Sequence, residues 1–374
     1  MQGRRPTVAE IDLSALAHNF SHIRSRTAGR QVLAVVKADA YGHGAARVAP
    51  FLQAQGAELF GVALVEEALE LRAAGVTRPI LVLGGIYPGQ EQQVLVAGLS
   101  CTLFCLETAR RLNAEAAAAG QICPFHLKLD SGMGRVGVRP EELAGVLDEL
   151  AGLRSLRMEG FFSHLALADE PGREFNEVQV RRFREALARV RERGFAPGFV
   201  HISNSAAIFT RDIPEANLVR PGIALYGGLP APGLEGTIDL RPVMHLRTRV
   251  AALKTVAPGT GISYSHRFSA ERPTVVATLP VGYADGYNRL LTNRGEVLVR
   301  GRRARVAGTV CMDWIMIDVT DVPGVAVGDE VTLLGSAEGG SISAEEWAEK
   351  VGSISYEVFC GIGKRVPRVY LGEE

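Results

Sequence analysis

The sequence predicts an α/β fold, in which a (β/α)8 barrel of the TIM type is followed by a C-terminal, mainly β domain. In the first two thirds of the 374 residues, short apolar β-prone runs alternate with amphipathic helical stretches. After about residue 237, short β-prone runs are separated by Pro, Gly and Asp turns, with one helical stretch. The length also favours two domains with a large core.

Eight apolar runs are the predicted strands of the barrel. They lie at residues 32–36, 60–64, 80–83, 101–104, 125–129, 158–163, 199–203 and 217–225. Helical patterns lie between them, at residues 44–56, 66–74, 107–119, 141–150 and 174–193. Eight strands that alternate with helices fit a barrel. A doubly wound open sheet is the alternative that the number of strands leaves open.

We expect the barrel to span residues 13–237 and the second domain to span residues 238–374, with a boundary loop at 230–236. The N-terminal segment 1–12 contains a β-prone run ahead of the first helix and is expected to join the sheet of the second domain. The predicted strands of that domain are 243–256, 274–279, 296–300, 303–310, 314–319 and 330–334, with a helix near 343–351.

The composition argues against several function classes. The formal net charge is zero and 22% of the residues are charged, so nothing predicts a nucleic-acid or membrane-surface partner. No segment approaches the ~20 apolar residues of a membrane span, and no stretch of signal length follows the first residues. Cys101 and Cys105 are expected to be buried thiols, and His18 and His22 to lie on a solvated helix face. We expect a cytoplasmic, reduced protein without a metal site.

Lys37 is the first candidate catalytic residue, because it follows the apolar run 32–36. Burial lowers the pKa of a lysine and makes its amine a nucleophile suited to Schiff-base chemistry. The alternative is a strand-terminal lysine that only reaches solvent. In a barrel, chemistry collects at the C-terminal strand ends. Those ends offer these further polar groups: Tyr41, Lys128, Asp130, Arg135, His164, Ser203, Asn204, Ser205, Arg220 and Gly222.

The loops after the seventh and eighth strands are a candidate phosphate site. Ser205 opens a helical stretch and Gly222 follows Arg220 and a proline, in the loops where barrels commonly bind phosphate. A phosphate site beside a buried lysine is what pyridoxal phosphate requires. The alternative makes Ser205 a helix cap and Gly222 a turn residue. The G-x-G-x-x-G motif at 132–137 follows the fifth strand, so it is a weak match to a dinucleotide fingerprint.

Taken together, these motifs make the chain resemble the alanine racemases, which are fold-type III pyridoxal-phosphate enzymes. The resemblance follows the family order over nearly the full length. The matching motifs are AVVKADAYGHG (34–44), KLDSGMGR (128–135), FSHL (162–165), HISNS (201–205), RPGIALYG (220–227), GISY (261–264), GYADG (282–286), VCMD (310–313) and SYE (355–357).

The resemblance implies a homodimer that interconverts L- and D-alanine for peptidoglycan synthesis. Lys37 would hold pyridoxal 5'-phosphate as a Schiff base and act as one base. Tyr264 would be the opposite base and would come from the partner subunit, together with Met312 and Asp313. Arg220 would face the pyridine nitrogen and, with His164, neighbour the tyrosine. A permanent cation there weakens the ring as an electron sink, so the carbanion would be short-lived.

The remaining implied roles concern binding and access. Arg135 would hold the phenolic oxygen of the cofactor and the substrate carboxylate, which the Met312 backbone N–H also approaches. Lys128 is carbamylated in some members, and a plain lysine paired with Asp130 is the alternative. Thr309 departs from the family, because many members have an arginine there. The implied phosphate contacts are Tyr41, Ser205, Gly222, Ile223 and Tyr356, and the implied lining of the substrate access corridor is Asp169, Tyr283 and Arg289.

Three rival functions are weighed against this expectation. A racemase of the same fold specific for serine or lysine is the nearest, because small pocket differences discriminate similar side chains by only ~1–3 kcal/mol. A fold-type III decarboxylase typically takes a cysteine from the second domain as its acid, and Tyr264 in its motif argues against that activity. A non-enzymatic pyridoxal-phosphate-binding homeostasis protein would be a barrel alone, and the residues after 237 argue against it.

Overall fold

The computed structural model of the protein describes residues 5–372. Up to residue 226, strands and helices alternate. The strands are β1 (Val8–Asp12), β2 (Gln31–Val35), β3 (Leu59–Val62), β4 (Ile80–Val82), β5 (Ser100–Leu103), β6 (Cys123–Lys128), β7 (Leu156–Phe162), β8 (Phe199–His201) and β9 (Leu218–Val219). The helices are α1 (Leu13–Arg26), α2 (Lys37–Gly42), α3 (Ala45–Ala54), α4 (Val65–Ala73), α5 (Glu91–Val96), α6 (Leu106–Ala118), α7 (Leu143–Gly152), α8 (Phe175–Glu192) and α9 (Ser205–Thr210).

From residue 244 onward the chain is mainly β, with short 3-10 turns at Tyr264–His266, Tyr283–Asp285 and Arg289–Leu291. The strands are β10 (Met244–Arg249), β11 (Ala252–Val256), β12 (Gly261–Ile262), β13 (Phe268–Ser269), β14 (Thr274–Leu279), β15 (Glu296–Val299), β16 (Arg302–Val306), β17 (Ile315–Asp318), β18 (Glu330–Ala337), β19 (Gly340–Ile342) and β20 (Arg368–Leu371). Two helices, α10 (Ala344–Val351) and α11 (Ser355–Gly361), precede β20.

Strands β2 to β9 form an eight-stranded parallel sheet in the order β8-β7-β6-β5-β4-β3-β2-β9. Two backbone hydrogen bonds then connect the two end strands of this sheet, β9 and β8, at β8 and at the loop that follows β8. The N–H of Asn217 donates to the carbonyl of Val200 at 2.9 Å, and the N–H of Arg220 donates to that of Ser203 at 3.0 Å. The sheet therefore closes nearly completely, which confirms the barrel prediction and excludes the open sheet.

The second sheet is mostly antiparallel and runs in the order β11-β14-β17-β16-β15-β18-β10-β1-β20. Strand β1 pairs antiparallel with β10, with Val8 opposite Arg247, and parallel with β20, with Ala9 opposite Arg368. Strand β1 therefore lies between β10 and β20 in this sheet and leads directly into α1. Both the barrel and the second sheet bury apolar side chains continuously.

Several details differ from the sequence predictions. The predicted strand 243–256 is two strands, because β10 pairs with β1 and β18 whereas β11 pairs with β14. The predicted strand 217–225 ends at Val219, because Pro221 and Gly222 turn the chain into a 3-10 helix at Ile223–Tyr226. Helix α5 was not predicted.

Two predictions about side-chain burial are also revised. Cys101 is buried, but Cys105 is exposed, because it lies in the loop before α6 and not in the strand. His18 and His22 are half-buried on α1 rather than fully solvated. The ring of His22 stacks 5.9 Å from that of Phe209. None of the helices within residues 5–372 has the length and apolar character needed to span a bilayer.

Candidate active site

A cavity of about 630 Å³ lies at the C-terminal ends of the barrel strands, a volume typical of small-molecule sites. It brings together most of the residues that the sequence singled out. They are Lys37, Tyr41, Lys128, Arg135, His164, Ser205, Arg220, Gly222, Ile223 and Tyr356. Phe162, Asn204 and Cys360 also line the cavity and were not assigned a role from the sequence.

Lys37 begins a segment of unusual backbone. The next four residues, Ala38 to Tyr41, all have left-handed φ angles of 52–54°. Left-handed backbone costs about 1–2 kcal/mol per non-glycine residue, so it persists only where the surroundings hold it. A carboxylate oxygen of Glu67 accepts a hydrogen bond from the N–H of Ala38 at 2.6 Å, and the Asp39 carboxylate accepts one from Ala45 at 2.7 Å. These contacts hold Lys37 at the cavity.

The two lysines of the cavity are both less basic than an exposed lysine. Burial, and then the nearby cation Arg135, lower the pKa of Lys37. Burial lowers the pKa of Lys128 to about 8, assisted by the charges of Arg135 and Arg220. The Asp130 carboxylate accepts hydrogen bonds from the backbone N–H groups of residues 132 to 134. Among the ion pairs of residues 5–372 none involves Lys128, so the alternative of a direct Lys128–Asp130 pair is not formed, although the charge of Asp130 still acts on the lysine.

The phosphate candidates cluster at one end of the cavity. The hydroxyl oxygen of Ser205 accepts a hydrogen bond from the N–H of Gly222 at 2.8 Å. A Cβ at position 222 would lie 2.5 Å from the hydroxyl oxygen of Tyr41, so only glycine fits there. The ring of Tyr356 lies 5.9 Å from that of Tyr41. Burial raises the pKa of both phenols, that of Tyr356 to about 12, so both hydroxyls remain hydrogen-bond donors at neutral pH.

Arg220 is a buried cation whose partners are uncharged. Its guanidinium donates to Nδ1 of His201 at 2.8 Å and Nδ1 of His164 at 3.2 Å, and to the carbonyls of Ser163 and Ile202. Burial lowers its pKa to about 9, which still leaves it charged at neutral pH. Burial, and then the charge of Arg220, hold the pKa of His164 well below its usual range. The site therefore presents a fixed cation beside neutral imidazoles.

The aromatic ring of Phe162 lies within cation–π distance of two basic groups of the cavity. The Lys128 amine lies 5.5 Å and the Arg220 guanidinium 5.3 Å from the ring centroid. Both distances suit cation–π contacts, which stabilise a cation without neutralising it. The Phe162 ring thus holds the Lys128 and Arg220 side chains at the cavity without neutralising either basic group.

Tyr264 and its neighbours are not in the barrel cavity. Tyr264 is 69% exposed and lines a separate cavity of about 790 Å³ on the second domain, with Ser263, His266 and Trp314. Met312 is 52% exposed, and Asp313 forms an ion pair with Arg365. Within one chain, the structure therefore does not bring Tyr264 to Lys37.

The side chain of Thr309 is buried and does not line a corridor. Its hydroxyl donates a hydrogen bond to the carbonyl of Tyr264 at 2.8 Å. The hydroxyl of Ser263 in turn donates to the carbonyl of Thr309 at 2.6 Å. Thr309 therefore fixes the backbone that carries Tyr264.

The three proposed corridor residues lie in two places. Tyr283 and Arg289 line a cavity of about 330 Å³ together with Trp347 and Glu357. Asp169 is exposed, and its charge contributes, after burial, to the raised pKa of Tyr356. The corridor is therefore not continuous within one chain.

Two polar residues of the site escaped the sequence analysis. Glu67 was missed because its contact, Ala38, lies 29 positions away in the sequence. Its place in the first turn of a helix is a signal that could have found it, since a carboxylate there often caps backbone N–H groups. His201 lay inside a matching motif but was given no role. Its place beside Arg220 depends on the packing of β8 against β9.

Comparison with known proteins identifies two family profiles in the chain. The N-terminal domain of alanine racemase matches residues 11–230, and the C-terminal domain matches residues 243–370. The chain is 55% identical to the alanine racemase of Geobacter sulfurreducens, over 98% of this chain and 97% of that protein. It is 54% identical to that of Citrifermentans bemidjiense, over 98% and 99%.

Solved structures give the same result. The crystal structure of the alanine racemase from the D-cycloserine producer Streptomyces lavendulae superimposes with a TM-score of 0.94 at 38% identity, covering 100% of this chain and 99% of that chain. The structure of the alanine racemase from Bacillus anthracis with bound L-Ala-P superimposes with a TM-score of 0.93 at 38% identity, covering 100% and 97%.

Proposed function

The chain belongs to the alanine racemase family, and from this premise we propose that it interconverts L- and D-alanine with pyridoxal 5'-phosphate held on Lys37. The observation that carries the proposal is the barrel cavity, in which a lysine of lowered pKa lies with a glycine-lined polar end and a buried arginine. We further propose that the D-alanine serves peptidoglycan synthesis and that the enzyme is cytoplasmic.

The residues of the cavity fit this cofactor. The neutral fraction of the Lys37 amine suits attachment to an aldehyde carbon. The hydroxyls of Tyr41, Ser205 and Tyr356 and the backbone at Gly222 and Ile223 would hold the phosphate, and the missing Cβ at position 222 leaves room for it. Arg220 would face the pyridine nitrogen. When bound, the cofactor supplies an electron sink for negative charge at the substrate Cα.

The polar side chains then divide the remaining work. Lys37, with its lowered pKa, would exchange a proton on one face of the substrate Cα. Tyr264 would exchange a proton on the opposite face. Arg135 would hold the substrate carboxylate, with the Met312 backbone N–H, and would also hold the phenolic oxygen of the cofactor. Because Arg220 stays protonated near neutral pH, it would leave the pyridine nitrogen of a bound cofactor unprotonated and so would weaken the electron sink.

The two-base arrangement requires a second subunit. Tyr264 and Met312 are exposed on the second domain and lie outside the barrel cavity. We therefore propose a homodimer in which Tyr264, Met312 and Asp313 of the partner subunit complete the site of Lys37. Asp169, Tyr283 and Arg289 would line the substrate access corridor once both subunits contribute. The proposed domains are 13–237 and 238–374, with the N-terminal strand in the second.

Lys128 is proposed to carry a carbamate. A lysine whose pKa is about 8 has a substantial neutral fraction near neutral pH, and a neutral amine can add CO₂ with release of a proton. The cavity holds four basic groups, Lys37, Lys128, Arg135 and Arg220, and the product would replace one of them with an anion close to Arg135. A carbamate carbon signal in the ¹³C NMR spectrum of the folded protein under ¹³C-bicarbonate, absent from Lys128→Arg, tests this, and identical spectra for the two proteins would contradict it.

The proposed function is tested by assaying the purified, cofactor-loaded protein with L-alanine, L-serine and L-lysine in parallel. We expect L-alanine to be racemised most efficiently. Borohydride treatment should fix the cofactor irreversibly on the peptide that contains Lys37. A faster reaction with serine or lysine would favour a racemase of different specificity, and a labelled peptide elsewhere would overturn the assignment of Lys37.

A further inference from the structure

A chain of buried polar groups leads away from Arg220 across the barrel. Nη1 of Arg220 donates to Nδ1 of His201 at 2.8 Å, and Nε2 of His201 lies 2.8 Å from Nδ1 of His126. Nε2 of His126 faces a carboxylate oxygen of Glu159 at 3.6 Å, just beyond hydrogen-bond distance. The Ser100 hydroxyl donates to that same oxygen at 2.6 Å. The chain thus begins at a cation of the site and ends at a carboxylate.

Arg220 and Glu159, at the two ends of this hydrogen-bond chain, determine which nitrogen of each imidazole carries its proton. A guanidinium only donates hydrogen bonds, so Nδ1 of His201 must accept. Burial lowers the pKa of both imidazoles, so each is neutral and carries one N–H. Nε2 of His201 therefore carries the proton and donates to His126, whose own Nε2–H then points at Glu159. A carboxylate only accepts, so the order of donors agrees at both ends.

The backbone of β7 is built around this chain. In the pairing of β6 with β7, Phe125 lies opposite Met158 and His126 opposite Gly160, so Glu159 is the extra residue of a β-bulge. Bulges re-aim side chains and occur next to active sites. A Cβ at position 160 would lie 2.2 Å from Nδ1 of His126, so only glycine leaves room for the imidazole.

Aromatic contacts restrict both imidazole rings. The ring of His201 stacks on Phe162 with centroids 4.6 Å apart and an angle of 4° between the planes. The ring of His126 lies 5.8 Å from that of Phe199 at an angle of 18°. These ring contacts hold both imidazoles in place. Removing a group at one end of the hydrogen-bond chain must therefore shift protons or hydrogen bonds within it.

We propose that Glu159 is a positioning residue for Arg220, acting through His126 and His201. Its carboxylate selects the proton arrangement in which both imidazoles accept hydrogen bonds from the direction of Arg220. Without that carboxylate, the buried N–H of His126 would face no negative charge at the end of the hydrogen-bond chain. The opposite arrangement would place an N–H of His201 against the guanidinium, and Arg220 would lose the contact that fixes its orientation.

The catalytic consequence rests on the proposed function, in which Arg220 faces the pyridine nitrogen. Small displacements of a group that contacts the reacting system reduce the rate strongly, so we expect loss of the Glu159 acceptor to lower kcat about tenfold. KM for alanine should change less than twofold, because Glu159 lies outside the cavity that would bind the substrate. The pattern differs from that of a binding residue, which would change KM.

The test compares Glu159→Leu with Glu159→Gln, whose amide oxygen can still accept a hydrogen bond. Thr102→Val is the matched control. Thr102 is a buried polar residue on the same strand as Ser100, β5, but it is not a member of the hydrogen-bond chain. Histidine ¹⁵N resonances of the full-length protein report the tautomers, with assignments from single His→Asn variants. In Glu159→Gln and Thr102→Val, His126 and His201 should each keep the single tautomer that carries the proton on Nε2. In Glu159→Leu this single tautomer should be lost, and kcat should fall about tenfold.

Ser100→Ala gives a milder second variant that removes only the hydroxyl that fixes Glu159. It should add a second His126 tautomer and lower kcat about threefold. Unchanged tautomers and kcat in Ser100→Ala and in folded Glu159→Leu would overturn the positioning role. The tautomers are measured with and without cofactor and need no activity. A protein that fails to bind cofactor on Lys37 would refute the proposed function but would leave the tautomer result to decide the inference.

Discussion

Two segments of left-handed backbone carry the two proposed bases, and they differ in what surrounds them. The segment after Lys37, residues 38–41, is held within the barrel by Glu67 and Asp39. The segment around Tyr264 has positive φ at Ser263, Ser265 and His266. Tyr264 itself is 69% exposed, whereas Lys37 lies in the barrel cavity.

The backbone around Tyr264 is held in place by hydrogen bonds within its own chain. Strained backbone persists only where its surroundings over-determine it. The hydroxyls of Thr309 and Ser263 fix the Tyr264 segment, and a Cβ at Gly308 would lie 2.6 Å from the Ile262 carbonyl. The backbone of Tyr264 is thus specified as firmly as that of Lys37, although its side chain is exposed. Such a group fits a site that is completed on association.

The largest expected effect separates the roles of the two bases. Lys37→Ala should lose both cofactor retention and racemisation, by at least about 10³-fold. Tyr264→Phe should keep the cofactor but lose about 10²- to 10³-fold in the exchange of the α-proton of L-alanine with D₂O. The tyrosine should serve the L-enantiomer and Lys37 the D-enantiomer. Full racemisation by Tyr264→Phe would refute its role as a base.

A smaller effect is expected where Glu67 holds the Lys37 segment. Its carboxylate accepts hydrogen bonds from the backbone N–H groups of Ala38, Ala63 and Leu64. In Glu67→Gln, an amide N–H₂ must face at least one of these donors, so the segment should shift. We expect kcat to fall about tenfold and the free energy of unfolding to fall by about 1–3 kcal/mol.

The matched control for that variant is Glu66→Gln. The Glu66 carboxylate accepts a hydrogen bond from the Gln90 side chain on the exposed surface and does not contact the Lys37 segment. Denaturant unfolding and steady-state kinetics should show almost no change. Equal losses in both variants would mean that the carboxylate of Glu67 has no special role at Lys37.

The smallest effect is expected at Thr309. Thr309→Val is nearly isosteric and removes the hydroxyl that donates to the Tyr264 carbonyl. We expect racemisation to fall about threefold because the Tyr264 segment becomes less ordered, while cofactor binding by Lys37 is unchanged. Thr255→Val, on an exposed position of β11, is the control. A loss of cofactor binding in Thr309→Val would show that its hydroxyl supports the barrel cavity and not Tyr264.

The fold was predictable because alternation and periodicity are local. The predicted strands 32–36, 125–129 and 158–163 each end within one residue of the observed ends of β2, β6 and β7, where polar groups converge. Strand breaks such as the one between β10 and β11 depend on which neighbour each half pairs with, so the sequence could not show them.

The positioning residues escaped prediction for the same reason. Glu67 contacts Ala38 and Thr309 contacts Tyr264 across 29 and 45 positions, and no spacing rule links such pairs. The expected burial of Cys105 was wrong because β5 ends at Leu103 and Cys105 lies at the exposed start of α6. Local patterns thus located groups that line the barrel cavity, but tertiary packing decided which residues hold them in place.

A mixed dimer tests the central claim, that each site combines Lys37 of one subunit with Tyr264 of the other. Lys37→Ala and Tyr264→Phe subunits, each inactive as a homodimer, are co-expressed with different tags and the heterodimer is isolated. If the site is shared, one of its two sites has both native residues, so the heterodimer should recover about half of the wild-type activity. A heterodimer as inactive as its parents would contradict the account.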